Sequence, residues 1–126
     1  MGGFFGIATS TTTGGGGSTA ALGHRLAYAS PAGGAVAAAP AGFVASAGPT
    51  GTGRLIVTLP GGNATWASLT AGVDGQLLDI KNADAVNTLT LPAAVFPGVG
   101  DLALPPGNHT LLYYDSTDAA WNMADV

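Results

Sequence analysis

Turn-forming residues interrupt the second half of the chain at short intervals, and this spacing limits what it can fold into. Between residues 54 and 123, runs rich in Val, Ile, Leu, Thr and Tyr alternate with Pro-Gly, Asp-Gly and Pro-Pro-Gly turns. The spacing of roughly 8–12 residues is typical of short strands in a sandwich or barrel. The absence of Glu and the scarcity of Lys also disfavour helices. We therefore predict an all-β domain over residues 54–126, either a sandwich or a barrel.

The first 53 residues have a different composition, dominated by Gly, Ala, Ser, Thr and Pro with few large side chains. The tract Thr11–Thr19 has little to bury and a high backbone entropy, so we predict an extended N-terminal arm over residues 1–53. Within it, Leu22–Tyr28 is an island of larger side chains that can form a short strand or a docking point. Arg25 and Tyr28 in this island are candidate interaction residues.

The low charge of the chain favours contact with other protein. Charged residues make up 8% of the chain, with 3 Lys and Arg against 7 acidic residues, all of them Asp. An ordinary soluble domain carries roughly 25% charged residues, and charge keeps soluble chains apart. Phe4, Phe5 and Ile7 lie in a Gly-rich setting that cannot bury them locally. They are therefore candidate anchors in a neighbouring subunit or in a larger shell.

Several functional classes are disfavoured by composition and by missing motifs. The net charge of −4 with three basic residues argues against a nucleic-acid partner. No apolar run is long enough to cross a bilayer. The chain has no Gly-x-Ser-x-Gly motif, no phosphate-binding loop followed by Lys-Ser or Lys-Thr, and no cysteine. We expect neither enzymatic activity nor a cofactor, and no membrane association.

Three groups of side chains allow more than one interpretation. The aspartates at turns, best represented by Asp115–Asp118, suit either calcium or capping of their own backbone, and capping is the simpler interpretation. His109 lies beside a Pro-Pro-Gly-Asn turn, where we expect it to be exposed. Tyr113 and Tyr114 point to opposite faces of one strand, so we expect one in the core and one at an interface, and we select Tyr114 as the interaction residue. With the two tryptophans, these tyrosines could instead form a sugar-binding platform.

Five short pieces of the second half follow one another in a characteristic order. They are Leu69–Asn82 (L-T-A-G-V-D-G-Q-L-L-D-I-K-N), Asn87–Leu91 (N-T-L-T-L), Leu104–Gly107 (L-P-P-G), Leu111–Asp115 (L-L-Y-Y-D) and a final Trp121. This order resembles the β modules of tailed-phage virion proteins, both head decoration or cement proteins and tail-fibre tips. The resemblance implies a β-sandwich or jelly roll that assembles as a homotrimer, and it implies a structural or receptor-facing function without catalysis.

The resemblance makes a capsid decoration or cement protein the first functional expectation. Such a protein is synthesised in the bacterial cytoplasm and lies on the virion surface, where it contacts the major capsid protein and its own copies. The near-neutral arm would then lie against capsomers. The alternative is a tail-fibre or spike tip module that binds a glycan or receptor on the host cell.

Overall fold

The computed structural model describes residues 23–31, 40–66, 68–92 and 101–124, which form a mostly β domain. The described residues contain a single 3-10 turn at Gly48–Thr50 and no helix long and apolar enough to cross a bilayer. They contain eight strands: β1 (His24–Ala29), β2 (Thr52–Thr58), β3 (Ala64–Thr65), β4 (Leu77–Asn82), β5 (Leu89–Leu91), β6 (Leu102–Leu104), β7 (His109–Asp115) and β8 (Ala120–Met123). Each of the seven strands predicted after residue 54 has a counterpart among β2–β8, so the all-β prediction is confirmed.

The strands form two mixed sheets. The larger has the order β1-β2-β4-β7-β8 and the smaller the order β3-β5-β6. The pairs β1–β2, β2–β4 and β3–β5 are parallel, and the other pairs are antiparallel. Jelly rolls are antiparallel, so these parallel pairs distinguish the fold from the jelly roll that we expected. Sequence alternation could not reveal this difference, because side chains alternate in the same way in parallel and antiparallel strands.

Strand β1 corrects the predicted boundary at residue 53. It pairs in parallel with β2 from Arg25 opposite Arg54 to Ala29 opposite Thr58. Leu26 packs against the core from the same strand. The island in the first half is therefore a strand of the sheet, and the β domain begins well before the predicted end of the arm. Composition obscured it because a six-residue strand is surrounded by Gly- and Ala-rich sequence.

Both sheets contribute to one hydrophobic core. The larger sheet supplies alternate residues of its central strands, and the smaller sheet supplies residues of all three of its strands. The fully or almost fully buried members are Leu55, Val57, Leu59, Ala64, Trp66, Leu78, Ile80, Leu89, Leu91, Leu104, Leu112 and Trp121. Burying a large apolar side chain stabilises a fold by about 1.5–3 kcal/mol, so this cluster holds the two sheets together.

The segment Thr70–Gln76, which we call the clasp, holds the C-terminal hairpin β7–β8. The Trp121 indole Nε1 donates a hydrogen bond to the Thr70 carbonyl at 3.0 Å. The Asp74 carboxylate accepts hydrogen bonds from the Ser116 N–H at 3.0 Å and from its hydroxyl at 3.1 Å. Gly75 follows with a φ of +83°, a conformation that glycine adopts without strain. The clasp therefore contacts the hairpin at both its buried tryptophan and its loop.

Gln76 joins the clasp to the first half of the chain. Its side chain is buried, and its Nε2 donates to the carbonyls of Thr52 at 2.8 Å and Val44 at 3.2 Å. Its Oε1 accepts from the Val73 N–H at 3.2 Å. Gln76 also exchanges a backbone hydrogen bond with β7, where Tyr114 N donates to its carbonyl at 2.9 Å. One neutral amide thus links segments that are far apart in sequence.

Asn82 joins the two sheets through its buried side chain. Its Nδ2 donates to the carbonyl of Leu104 in the smaller sheet and to that of Asn87, both at 2.8 Å. Its Oδ1 accepts from the Asp84 N–H at 2.9 Å. The end of β4 is therefore fixed to β6 and to the loop that enters β5. We call Asn82, Asp84 and Asn87 the polar joint.

Asp84 completes the polar joint by accepting three backbone hydrogen bonds. The donors are the N–H groups of Leu59 at 2.9 Å, Val86 at 3.1 Å and Asn87 at 2.9 Å. The N–H of Asn87 makes the largest contribution, followed by those of Leu59 and Val86, and together they hold the pKa of Asp84 below its ordinary value of 3.8. Because hydrogen bonds to the charged form stabilise it, the carboxylate is the form that the folded loop requires.

Replacing Gly72 by Ala should destabilise the clasp. A Cβ at this position would lie 2.8 Å from two atoms of the Trp121 ring and 2.8 Å from Gln76 Oε1. Overpacking of this kind costs about 1–3 kcal/mol. Urea unfolding followed by tryptophan fluorescence should show that Gly72→Ala lowers the free energy of unfolding by that amount. Ala71→Ser, at the exposed neighbouring position, is the control and should change the stability by less than about 0.5 kcal/mol.

Replacing Asp84 by Asn should destabilise the protein in a pH-dependent way. A carboxyl whose pKa is lowered in the folded state stabilises the fold fully above its unfolded pKa, and this contribution is lost as the pH falls through its folded pKa. The stability difference between wild type and Asp84→Asn should therefore be largest near neutral pH and shrink below 3.8.

Urea unfolding across this pH range measures the effect. Asp118→Asn removes another carboxylate from an exposed position and controls for the change in net charge. If the difference in unfolding free energy between wild type and Asp84→Asn stayed constant from neutral to acidic pH, this would contradict the assigned function of the Asp84 carboxylate.

Candidate interaction surface

The interaction residues predicted in the first half have different positions. Arg25 is exposed on β1, as an interaction residue must be. Tyr28 is half-buried and packs against the core, with its ring edge-on to Trp66 at a centroid distance of 6.1 Å. Phe4, Phe5 and Ile7 lie outside the described residues. Of the two candidates before residue 30 that the structure describes, Arg25 is therefore exposed and Tyr28 is half-buried.

The two adjacent tyrosines of β7 point to opposite faces, as predicted, but the interaction residue selected from them requires correction. Tyr114 is 8% exposed, and its ring packs edge-on against Trp121 at a centroid distance of 5.2 Å. Tyr113 is 36% exposed. Alternation along a strand establishes that neighbouring residues face opposite ways, but it does not establish which face is buried. Tyr113 is the member of the pair available to a partner.

The tryptophans are core residues and are not positioned as a sugar-binding platform. Trp66 is fully buried and donates from Nε1 to the Ser30 hydroxyl at 3.0 Å. Trp121 is 2% exposed and is bonded to the clasp. A stacking platform needs an exposed ring face, and neither indole offers one.

The Asp115–Asp118 loop has local backbone capping in place of a converging ligand set. The Asp115 carboxylate accepts a hydrogen bond from the Thr117 N–H at 2.8 Å, which is an Asx-turn contact. Within the part of the chain that the structure describes, no three His, Cys, Asp or Glu side chains are grouped closely enough to hold a metal ion.

The side of the larger sheet that points away from the core forms a distinct surface, which we call the outer face. Strand register places its residues in rows: Arg25 is opposite Arg54, Arg54 is opposite Asp79, and Ile56 is opposite Lys81. All three basic residues of the chain lie on it. The outer face comprises Arg25, Ala27, Arg54, Ile56, Leu77, Asp79, Lys81, His109, Leu111, Tyr113 and Asn122, and Asp115 follows on the same side at the end of β7.

A buried carboxylate lies at the centre of the outer face. The Asp79 side chain is 4% exposed, and its Oδ2 accepts a hydrogen bond from Arg54 Nε at 2.9 Å. Its Oδ1 lies 2.7 Å from His109 Nδ1, which donates because an ionised carboxylate only accepts. The side chains of Arg54 and His109 are 46% and 60% exposed. Arg54 therefore neutralises Asp79 while remaining accessible.

The sequence did not reveal this group. His109 is exposed, as expected, but its contact with Asp79 joins residues 30 positions apart. The contact exists because Lys81 is in register with His109 and Asp79 lies two residues before it on the same face. No signal in the sequence specifies that register.

Two cations and several apolar side chains complete the outer face. The side chains of Arg25 and Lys81 have no hydrogen-bond or ion-pair partner among the described residues. Ile56, Leu77 and Leu111 are half-buried on the same face, and Tyr113 is exposed. A surface that combines unpaired cations with apolar side chains suits contact with an anionic protein surface better than it suits chemistry on a small substrate.

Comparison with known proteins identifies no relative of this chain. No family model matches it, and neither does any curated protein or solved structure. Its function must therefore be inferred from its own residues and geometry.

A double-mutant cycle should detect the coupling between Arg54 and Asp79. Hydrogen bonds to charged groups contribute about 1.5–3 kcal/mol when buried, and the partial exposure of Arg54 lowers our expectation to about 1 kcal/mol. The cycle uses Arg54→Gln, Asp79→Asn and the double variant, with the free energy of unfolding as the measurement.

The matched control is a second cycle with Arg25→Gln. Arg25 lies two strands from Asp79, at about 10 Å, where solvent screens the interaction. Its coupling with Asp79 should be indistinguishable from zero. Equal couplings in the two cycles would show that the 2.9 Å contact contributes nothing specific.

Proposed function

We propose that this chain is a structural virion protein of a tailed bacteriophage, a capsid decoration or cement protein that acts as a homotrimer. The main support is the outer face, where unpaired Arg25 and Lys81 accompany exposed Tyr113 and half-buried aliphatic side chains. A free monomer gains little from such a surface, whereas a protein contact would bury it. We also propose that the two sheets are the layers of a β-sandwich.

The residues that carry the resemblance to virion modules support a structural function. Gly72, Asp74, Gly75 and Gln76 all belong to the clasp, and Trp121 is the residue that the clasp holds. The polar groups of Asp74, Gly75, Gln76 and Trp121 bond to other parts of the same chain. A motif whose polar groups are used within the fold is typical of an architectural module and leaves no convergent set for catalysis.

The proposed mechanism is mechanical. The trimer would lie across the joints between capsomers and bury apolar area against the major capsid protein. Phe4, Phe5 and Ile7 of the N-terminal segment would add apolar contacts to the shell. Because many copies bind a lattice of fixed geometry, each contact can be weak while the shell as a whole gains resistance to disruption.

The burial of both indoles favours this proposal over the alternative, a tail-fibre or spike tip module that binds a host glycan or receptor. Ligand sites commonly use accessible aromatic side chains, and Trp66 and Trp121 are not accessible. Tyr113 remains as an exposed ring beside the cations of the outer face. A glycan-array signal lost in Tyr113→Ala would support the alternative.

The oligomeric state and position in the particle test the proposal. Light scattering of the purified protein at micromolar concentration should give the mass of a trimer, three times the 12.2 kDa chain. Cryo-electron microscopy of particles with and without the protein should show additional density that straddles capsomers. A monomer in solution would contradict the homotrimer, and density confined to the tail tip would contradict the capsid assignment.

A further inference from the structure

Charge is segregated on this molecule. All three basic side chains lie on the outer face, and the five described aspartates other than Asp79 lie in or beside turns. Three of those five belong to one end of the larger sheet, where the 74–75 turn meets the loop between β7 and β8. We call Asp74, Asp115 and Asp118 the acidic end; the Asp74 contact with Ser116 holds the two turns together.

The acidic end and the cations of the outer face cannot neutralise each other within one subunit. Leu111 is opposite Asp79 at the centre of the outer face, and Asp115 is four residues further along β7. At about 3.3 Å per residue, Asp115 lies about 13 Å along the strand from the row that contains Arg54 and Asp79. That distance exceeds the screening length of about 8 Å at physiological ionic strength. The complementary charges are thus available to other molecules.

The same distribution disfavours a symmetric contact between two outer faces. Such a contact would be isologous, with the same surface contributed by both subunits. It would bring together two faces that each carry Arg25, Arg54 and Lys81, with only Asp79 and, at one end, Asp115 to offset them. Like charges across an interface oppose association, so the outer face requires a partner surface of opposite sign.

We infer that the outer face of one subunit binds the acidic end of a second copy, in a head-to-side contact that closes into a ring. The inference rests on the proposed homotrimer and specifies its interface. Heterologous contacts form closed rings when the rotation between subunits closes, and a three-fold ring satisfies all three contacts. Arg25 and Lys81 would face Asp118 and Asp115 of the neighbour, and Ile56, Leu111 and Tyr113 would supply the apolar area.

Charge exchange across the interface tests this contact. Arg25→Glu and Asp118→Lys each reverse one exposed charge, and the combined variant restores the net charge and the complementarity. Asp118 is chosen because Asp74 and Asp115 accept hydrogen bonds within their own subunit. Control variants carry Thr65→Glu with Val86→Glu, or Thr65→Lys with Val86→Lys, at exposed positions outside both surfaces, and match the charge changes of the single variants.

Light scattering over a concentration series measures the dissociation constant of the trimer, and circular dichroism verifies that each variant remains folded. Each single reversal should raise the dissociation constant at least tenfold, as should a tenfold increase in ionic strength. The combined variant should return to within about threefold of wild type, and the controls should match wild type.

The outcomes separate the inference from the proposed function. A wild-type protein that is monomeric overturns both. A wild-type trimer that Arg25→Glu or Asp118→Lys leaves intact overturns only the inferred contact, as does a combined variant that stays dissociated. A variant Arg25→Glu that forms trimers but no longer binds particles would assign the outer face to the capsid protein, and this also overturns the inference.

Discussion

The fold depends on satisfying buried polar groups in a chain with very few charged side chains to do so. Neutral amides take over this function at two points. Asn82 links β4 to β6 and so joins the two sheets, and Gln76 links the clasp to Thr52 and Val44. Both side chains are almost completely excluded from solvent. An unpaired buried polar group costs about 1–3 kcal/mol, so each of these amides is stabilising only while all its partners stay in place.

This dependence connects distant parts of the chain. The clasp holds the C-terminal hairpin through Trp121 and Ser116, while Gly75 donates a backbone hydrogen bond to Tyr114 of β7 and Gln76 accepts one from it. The hairpin contributes β7 and β8 to the larger sheet, next to β4. The position of β7 in turn places His109 beside Asp79 on the opposite side of the sheet. The geometry of the outer face is therefore a consequence of bonds made on the core side.

The distribution of charge has a physical basis in the same architecture. Aspartates lie in turns because their carboxylates accept backbone N–H groups there, as Asp84 and Asp115 do. The few cations lie on strands, where Arg54 neutralises the one carboxylate that the sheet buries. Arg25 and Lys81 lie on a partly apolar surface without an ion-pair partner among the described residues, and the carboxylates of the acidic end lie at the edge of that surface. A molecule with little charge overall can in this way still present two surfaces of opposite sign.

The β class, the strands after residue 54 and the turns between them could be predicted from the sequence, because alternation and turn chemistry are local properties. The sequence also indicated that Trp121 closes the sheet and that Asp74-Gly75 forms a turn. The packing of the strands was needed to show that β1 belongs to the sheet, that three strand pairs are parallel and that Tyr114 is the buried member of its pair. Only strand register brought Arg54, Asp79 and His109 together. Register and direction arise from contacts between residues 25 or more positions apart, and alternation within one strand carries no information about which strand lies beside it.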